Sequence, residues 1–374
     1  MFGQSLVKTM QLQLIAKATG VITGHLQVQD ARVKNVKFPE HPIRDAAAVE
    51  KALGAVAGRA GHQARILMTG LISSKKDSNG VLIVGVEPAR DRELTTMHTY
   101  LSTGAFLSGR GGELFMGDSL AKTLGLKLGE TAVLMAQASD GSMGADNFRI
   151  TGLYHTGSQS FDNQIVYVPL SSMQEMLSME GQANNFLLRL RDPERLDEAR
   201  AVVERATAGL SVQVLRWKDI DYELVGIQTY QDAIMMMMLL IVFAIVSLGI
   251  LNTLLMSTFE RVREFGVLMA IGARPGRILK MIVLESCCLG AVGAAGGLAG
   301  GAALILWYGA HGLKLPVSDA VGYFLPFDTL LYLRFDWFRH ATALSALLVV
   351  SVLAALPSAL RASRLKPAEC IRER

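Results

Sequence analysis

Cysteine is almost missing from this 374-residue chain, and none precedes Cys287. Cys287 and Cys288 are adjacent, and Cys370 lies close to the C-terminus. Neighbouring thiols on one helix are poorly placed to bridge each other or to build a zinc site, which needs spaced ligands. The long N-terminal part therefore folds without disulfides in whichever compartment it occupies. The chain also lacks GxxxxGK[ST], the loop whose backbone amides cradle nucleotide phosphates. It is not expected to hydrolyse ATP. HExxH is absent, and His25, His41, His62, His98 and His155 are widely scattered, so no metal site is expected. Long apolar runs are missing too, until Met235.

From Met235 onward the pattern reverses. Met235–Met256, Met281–Tyr308 and Ala341–Leu360 are three long apolar stretches. At about 1.5 Å of rise per residue, each is long enough for a hydrocarbon core of about 30 Å. The chain reads as an integral membrane protein with a large extramembrane head. Net charge +4 and a pI near 8.9 would suit nucleic acid. The basic residues, however, cluster beside the apolar stretches, as in cytoplasmic loops of membrane proteins, so no nucleic-acid partner is expected.

The positive residues set the expected orientation. Arg261, Arg263, Arg274, Arg277 and Lys280 fall in the first loop, and Arg361, Arg364, Lys366, Arg372 and Arg374 in the tail. The longer second loop has only Lys314, Arg334 and Arg339. The positive-inside rule puts the first loop and the C-terminus in the cytoplasm, and the head outside. A head exported in this way needs a signal peptide or a preceding membrane helix. Met1–Gly24 has no apolar core of signal-peptide kind; Leu6, Met10, Leu14 and Ala18 recur as in an amphipathic helix. A fourth membrane helix upstream is expected, lost through a late start-site assignment rather than true truncation.

The head alternates strand and helix patterns, which predicts an α+β domain with a strand-rich insertion near Gly104–Pro169, hence two subdomains. Strands are expected at His25–Val33, Val81–Val86, Thr131–Gln137, Phe148–Tyr154, Gln164–Val168, Asn185–Leu190 and Val212–Leu215. Helices are expected at Asp45–Gly58 with Asp45 as cap, Asp118–Gly125 capped by Asp118 or Ser119, Leu170–Leu177 and Asp192–Thr207. Helical runs at both ends of the head lead toward the membrane as stalks. The predicted division is 1–232 for the head with its stalks and 233–374 for an all-α membrane bundle, with spans at 235–256, 281–308 and 341–360.

Several motifs invite a chemical reading. Gly117-Asp118-Ser119-Leu120 matches the nucleophile block of a family of serine esterases, but no histidine stands three positions after an aspartate, as those enzymes need. A helix cap is the better reading, and no catalytic residue is expected. Glu285, just inside the second span, is expected to reach the headgroups or to pair with Arg277 or Lys280 rather than to serve as an intramembrane functional acid. Gly293, Gly297 and Gly301, four apart, form a smooth stripe for close helix approach, inside the bundle or at a dimer seam. Pro357 is expected to kink the last helix.

The sharpest signal is the loop ERVREFGVLMAIGARPGRILK, Glu260–Lys280. It predicts an amphipathic helix over about 259–272 ending at Gly272, with a turn after it at Arg274-Pro275-Gly276-Arg277. A short structured helix between two spans implies a docking partner; the alternative is a helix lying on the bilayer.

The stretch LGILNTLLMSTFERVREFGVLMAIGARPGRILKMIVLES resembles the signature of FtsX-like ABC-transporter permeases, as do the Gly-rich helix and the ending LPSALRASRLKPAECIRER. The head resembles the MacB-like periplasmic core domain through TGHLQV, VGVEP, GDSLAKTLGLKLGE, FRITGLYHTGS and VYVPLSSMQEML. The resemblance covers essentially the whole chain. It implies four membrane helices with the head between the first two, of which three are present here, and a dimer of permeases, homo- or heteromeric. It also implies a separate ATPase subunit that binds the ATP, so no cofactor is expected on this chain. Glu260, Arg263, Glu264 and Gly266 would face that ATPase, and stalk helices would carry its motion to the periplasm. The lipoprotein-releasing branch is most similar, which implies an inner-membrane permease handling lipoprotein or other amphipathic cargo beside membrane lipid, with a periplasmic carrier as a possible further partner. Two other readings remain: a regulator of a cell-wall hydrolase or a sensor, and a membrane-anchored periplasmic enzyme.

Overall fold

The computed structural model describes residues 1–56, 60–138, 141–314 and 330–364. The tail carrying Lys366, Cys370, Arg372 and Arg374 lies outside them, as do the first two residues of the SDGSMGADN turn. The chain divides into two compact units. Among the described residues, one comprises 11–227 and the other 1–10, 228–314 and 330–364.

In the head, ten strands form one hydrogen-bonded sheet: β1 Leu26–Asp30, β2 Ala60–Ser73, β3 Ser78–Val86, β4 Leu101–Gly104, β5 Glu113–Gly117, β6 Thr131–Gln137, β7 Met143–Tyr154, β8 Ile165–Pro169, β9 Asn185–Leu190 and β10 Val212–Arg216. The path runs β10-β1-β9-β2-β3-β8-β5-β7-β4, while β6 pairs with both β2 and β7. Those extra pairings close β2, β3, β8, β5, β7 and β6 into a ring. Closure removes the open edges that six strands would otherwise present.

Strand alternation explains the ring's interior. In β6, Ala132, Leu134 and Ala136 are buried while their neighbours are not, and in β7 Phe148 and Ile150 are buried likewise. With Ile72, Ile83, Leu114, Met116 and Val166 they fill the core. β2 is long enough to serve two partners in succession. Ala60–Arg65 pairs with β9, and Ile66–Ser73 with β3. The β10-β1-β9 wing is antiparallel, and α2 (Ala46–Gly54) and α7 (Leu196–Ala206) contribute to its core.

The expected strands are all present, with boundaries shifted by a few residues. Asp45 caps α2 by accepting from the Ala48 N–H, and Gly125 ends α4 (Asp118–Leu124) at φ +65°. The cap of α4 is a correction. Gly117 holds the cap position with no side-chain hydrogen bond, and Asp118, inside the helix, turns to Lys122 and His155 instead. Gly117 is fixed by packing: a Cβ there would stand 1.9 Å from the Asp162 carbonyl oxygen. Pro88 does not merely stop β3. It opens α3 (Pro88–Leu94), where its missing N–H costs nothing. Asp192–Thr207 begins as a short 3₁₀ turn, Pro193–Arg195, before α7.

The second unit contains the long helices. α1 (Phe2–Ala18) begins here and continues into the head, and α9 (Tyr222–Glu260) crosses the division the other way after the single turn α8 (Trp217–Ile220). α10 (Val262–Ala270), α11 (Pro275–His311) and α12 (Trp337–Ser363) complete it; α5 (Gln159–Gln164) and α6 (Leu170–Met176) belong to the head. α9, α11 and α12 are long and apolar enough to cross a membrane. Pro357 lies within α12.

α11 and α12 pack along Ile278, Ile282, Ser286, Gly290 and Ala294, the i+4 ridge of α11. Ser286 Oγ donates to the Ser351 carbonyl at 2.8 Å. A Cβ on Gly290 would meet Ser351 Oγ at 2.9 Å, so Gly290 is the glycine this packing requires. Gly293 and Gly297 have open space where a Cβ would go, and Gly301 faces Met1. Among the described residues, the smooth stripe thus meets no neighbouring helix at Gly293 and Gly297. Gly290→Val is expected to destabilise the α11–α12 pair by about 1–3 kcal/mol, and Gly293→Val to leave this packing unchanged. Thermal unfolding of the detergent-solubilised chain checks both.

Candidate functional site

α10 is a nine-residue helix between α9 and α11. A break at Arg261 separates it from α9, and Gly272 at φ +100° turns the chain toward Pro275, which opens α11. Phe265 is its anchor, buried with Ile278 and Ile282 of α11 and with Ala359 and Ala362 of α12. Arg261 braces the same corner. It bonds Glu264 at 3.0 Å, lies over the Phe265 ring, and stands 3.6 Å from Glu285. The partner of Glu285 is therefore Arg261, not Arg277 or Lys280. The reason is tertiary: the turn at Gly272 folds α10 back so that its start meets α11, a contact no local spacing shows.

The outer face of α10 presents Arg263, Glu264, Val267 and Leu268, with Ile271 just beyond it. Ile271 is 77% exposed and adjoins exposed Val267 and Leu268. Glu260 is exposed but ends α9 rather than belonging to α10, and Gly266 is buried beside Phe265. Of the four residues expected to face a partner, Arg263 and Glu264 share the outer face of α10. Gly266 does not, because it packs on the Phe265 side.

In the head, folding gathers groups that the sequence leaves far apart. His155 Nδ1 stands 3.3 Å from both Asp118 Oδ1 and Asp162 Oδ2. One ligand atom from each of the three lies within 4.8 Å of the others, a donor set that could hold a cation. His155 is thus not an isolated histidine. The Asp162 carboxylate is buried and accepts from Thr156 N–H and Oγ1. Burial pushes its pKa up, against those hydrogen bonds. Burial also acts to raise Asp118, but hydrogen bonds from His155 and Lys122 outweigh it and hold Asp118 below its usual value. His155 and Asp162 flank the loop between β7 and α5, Asp162 of α5 accepts from Thr156 within it, and Asp118 joins them from α4.

A second cluster lies where α1 enters the sheet. α1 ends in a π-helical turn, Thr19–Thr23, whose carbonyls are claimed by the sheet side. Gly20 O accepts from Thr96 N–H at 2.8 Å, Ile22 O from Arg65 Nη1 at 3.0 Å, and Thr23 O from Gln27 Nε2 at 2.9 Å. Arg65 and Asp91 are both fully buried and form an ion pair. Asp91 also accepts from Gln63 at 2.6 Å and from Thr95 at 2.7 Å. The Thr23 hydroxyl donates to Asp221, the residue just before α9. The ends of α1 and α9 are thereby tied to each other within the head. Nothing local in the sequence marks Arg65 or Asp91.

Burial raises the Asp221 carboxyl above its usual 3.8, with Thr23 and Lys37 opposing and Glu223 adding to the shift. A carboxyl raised in the folded state makes the fold less stable as pH climbs from the unfolded pKa through the raised one. Asp221→Asn keeps an acceptor for Thr23 and removes the charge. It is expected to raise the melting temperature of the head at pH 7.5, with a smaller effect near pH 3.5, in melts of the full chain.

Sequence profiles decide the family. The MacB-like periplasmic core domain matches residues 1–206, more than half of the chain, and the FtsX-like permease C-terminal domain matches 236–367. The chain belongs to the FtsX/MacB permease family. It is an ABC-transporter permease. Curated relatives of this permease include the lipoprotein-releasing system transmembrane protein LolC of Xylella fastidiosa, 25% identical over 77% of this chain and 72% of that one. LolC of Neisseria meningitidis serogroup B is 22% identical over 98% of this chain and 87% of its own. The solved periplasmic region of MacB from Actinobacillus actinomycetemcomitans is 11% identical, with a TM-score of 0.38, over 57% of this permease and 97% of that chain. In this permease, α10 is the loop helix of the FtsX-like part, and the ring of strands lies within the MacB-like part.

Proposed function

We propose that this permease couples ATP hydrolysis on a separate ATPase subunit to release of lipid-anchored cargo at the periplasmic face of the inner membrane. The observation that carries the coupling is α10. It is held from inside by Phe265 and Arg261, and it presents Arg263, Glu264, Val267, Leu268 and Ile271 outward. A rigid helix with an uncovered mixed face is what a docking partner needs. The lysine and arginine bias puts that face in the cytoplasm, where ATP is.

The cargo assignment draws on the similarity to the LolC proteins, which release lipoproteins by name. The ties between α1, α9 and the sheet supply a mechanical route. A movement of the helices would reach the head through the Ile22–Arg65 and Thr23–Asp221 hydrogen bonds. The permease acts as a dimer, with a second permease subunit completing the bundle.

The test is reconstitution in proteoliposomes with the ATPase that co-purifies from native membranes. Release of a lipid-modified protein into the soluble fraction is expected with ATP and not without it. An assembled complex that hydrolyses ATP and releases nothing overturns the cargo reading in favour of a regulator of a periplasmic enzyme.

A further inference from the structure

The carboxyl ends of two neighbouring parallel strands place three ligating groups together in the head. Gly117 of β5 pairs with Tyr154 of β7, so the next residue of each strand, Asp118 and His155, leaves the sheet beside the other. α5 brings Asp162 against them, so close that the Gly117 backbone has no room for a Cβ. His155 Nδ1 stands 3.3 Å from Asp118 Oδ1 and 3.3 Å from Asp162 Oδ2. A charge-assisted N–H···O bond runs shorter, about 2.7–2.9 Å, and one hydrogen on Nδ1 cannot point squarely at two carboxylates. A tetrahedral ion with bonds of about 2.0–2.1 Å spaces its ligand atoms about 3.3–3.4 Å apart. Both observed separations match an edge of that tetrahedron. The third edge, between the two carboxylates, is within 4.8 Å. Like charges hold it open, and a cation between them would close it.

Charge gives an independent reason. The Asp162 side chain is fully buried, and among the described residues the basic group within ion-pair distance of it is His155, itself more than half exposed. A carboxylate shut off from water needs a counter-ion. Lys122 does not serve, because it sits on the far oxygen of Asp118, Oδ2, at 3.2 Å. Thr156 fixes the Asp162 carboxylate through its N–H and through Oγ1 at 2.6 Å, and Ser119 Oγ lies 3.4 Å from Asp118 Oδ1.

We infer that Asp118 Oδ1, His155 Nδ1 and Asp162 Oδ2 bind one divalent transition-metal ion, with Zn²⁺ the best fit. An imidazole nitrogen beside two carboxylates suits zinc and its neighbours and disfavours Ca²⁺ and Mg²⁺, which take oxygen ligands. Three protein ligands leave a fourth position for water. The ion would tie the start of α4 to the loop between β7 and α5, and it asks nothing of the cargo or the ATPase.

The test uses the full chain, free of any histidine tag, in detergent after EDTA treatment and dialysis. Co²⁺ is the probe, because tetrahedral coordination gives it intense visible absorption. One equivalent should bind with that absorption, and Zn²⁺ should displace it. Zn²⁺ alone should raise the melting temperature, and Ca²⁺ should not. His155→Ala removes an exposed ligand and Asp118→Asn keeps the shape of a partly exposed one, so both should fold. Each should weaken Co²⁺ binding at least about a hundredfold, since even groups that only orient a ligand are worth about ten- to a hundredfold. His41→Ala, at an exposed histidine outside the cluster, should change nothing. Weak absorption of octahedral type, binding that survives in either ligand variant, binding lost in His41→Ala, or a Ca²⁺ shift equal to that of Zn²⁺ overturns the inference. So does an absence of binding, which would leave the three residues as an ion-pair cluster centred on His155.

Discussion

Arg65→Met is expected to destabilise the head by about 3–5 kcal/mol, the cost of stranding one partner of a buried ion pair. Arg65 and Asp91 are both 0% exposed, so water cannot solvate the carboxylate left behind. The loss extends further, because the Ile22 carbonyl also loses its donor, one of the ties that hold the π turn. Arg65→Met/Asp91→Leu should recover part of the loss and not all of it. Gln63 and Thr95 would then have no carboxylate to bond, and Ile22 would remain unpaired. Arg65→Lys keeps the charge but not the fork that serves Asp91 and Ile22 at once, and should fall between. Hydrogen–deuterium exchange of the full chain in detergent reads this directly. Protection should fall in β2, α3 and the π turn for the single variant. Unchanged protection there would show that the pair carries no net stability.

Leu268→Asp/Ile271→Asp is expected to abolish ATP-driven release and to separate the permease from its ATPase. Leu268 is 37% and Ile271 77% exposed, and neither belongs to the cluster around Phe265, so the variant should fold. Each, as an interface anchor, would be worth about 2 kcal/mol, and the two together about a thousandfold in affinity. Phe265→Ala should reach the same endpoint by another route. It leaves the outer face intact but removes the knob that holds α10 against α11 and α12. A helix that merely lies on the bilayer predicts a different result. The aspartates would then weaken membrane contact while the ATPase still co-purified. Co-purification read on the same preparation separates the two. Release at the wild-type rate by the double aspartate variant would remove α10 as the coupling element.

The two predictions probe features that differ in how they could be found. α10 was legible in the sequence because amphipathic spacing, a glycine stop and Arg-Pro-Gly are local signals. So were the three apolar helices, since length and composition alone make them candidate spans. Most strands of the head followed from period-two alternation, and Asp45 from capping chemistry. β2 was not foreseen. Its run AGHQARILMTGLIS mixes polar and apolar residues because one half passes through the wing and the other through the ring, with different faces covered.

What the sequence by itself determined was the class of object: an α+β head, a set of apolar helices, a short amphipathic helix between two of them, and the family these make up. Each rests on interactions between residues a few positions apart, which a linear pattern records. The tertiary structure alone decided which groups meet. It closed six strands into a ring, chose Gly290 rather than Gly293 for the close helix contact, gave Glu285 to Arg261, and set Arg65 against Asp91 beneath the end of α1. Those contacts join residues remote in the chain. Their energies come from burial and from pairing in a dry interior, neither of which exists until the fold has formed.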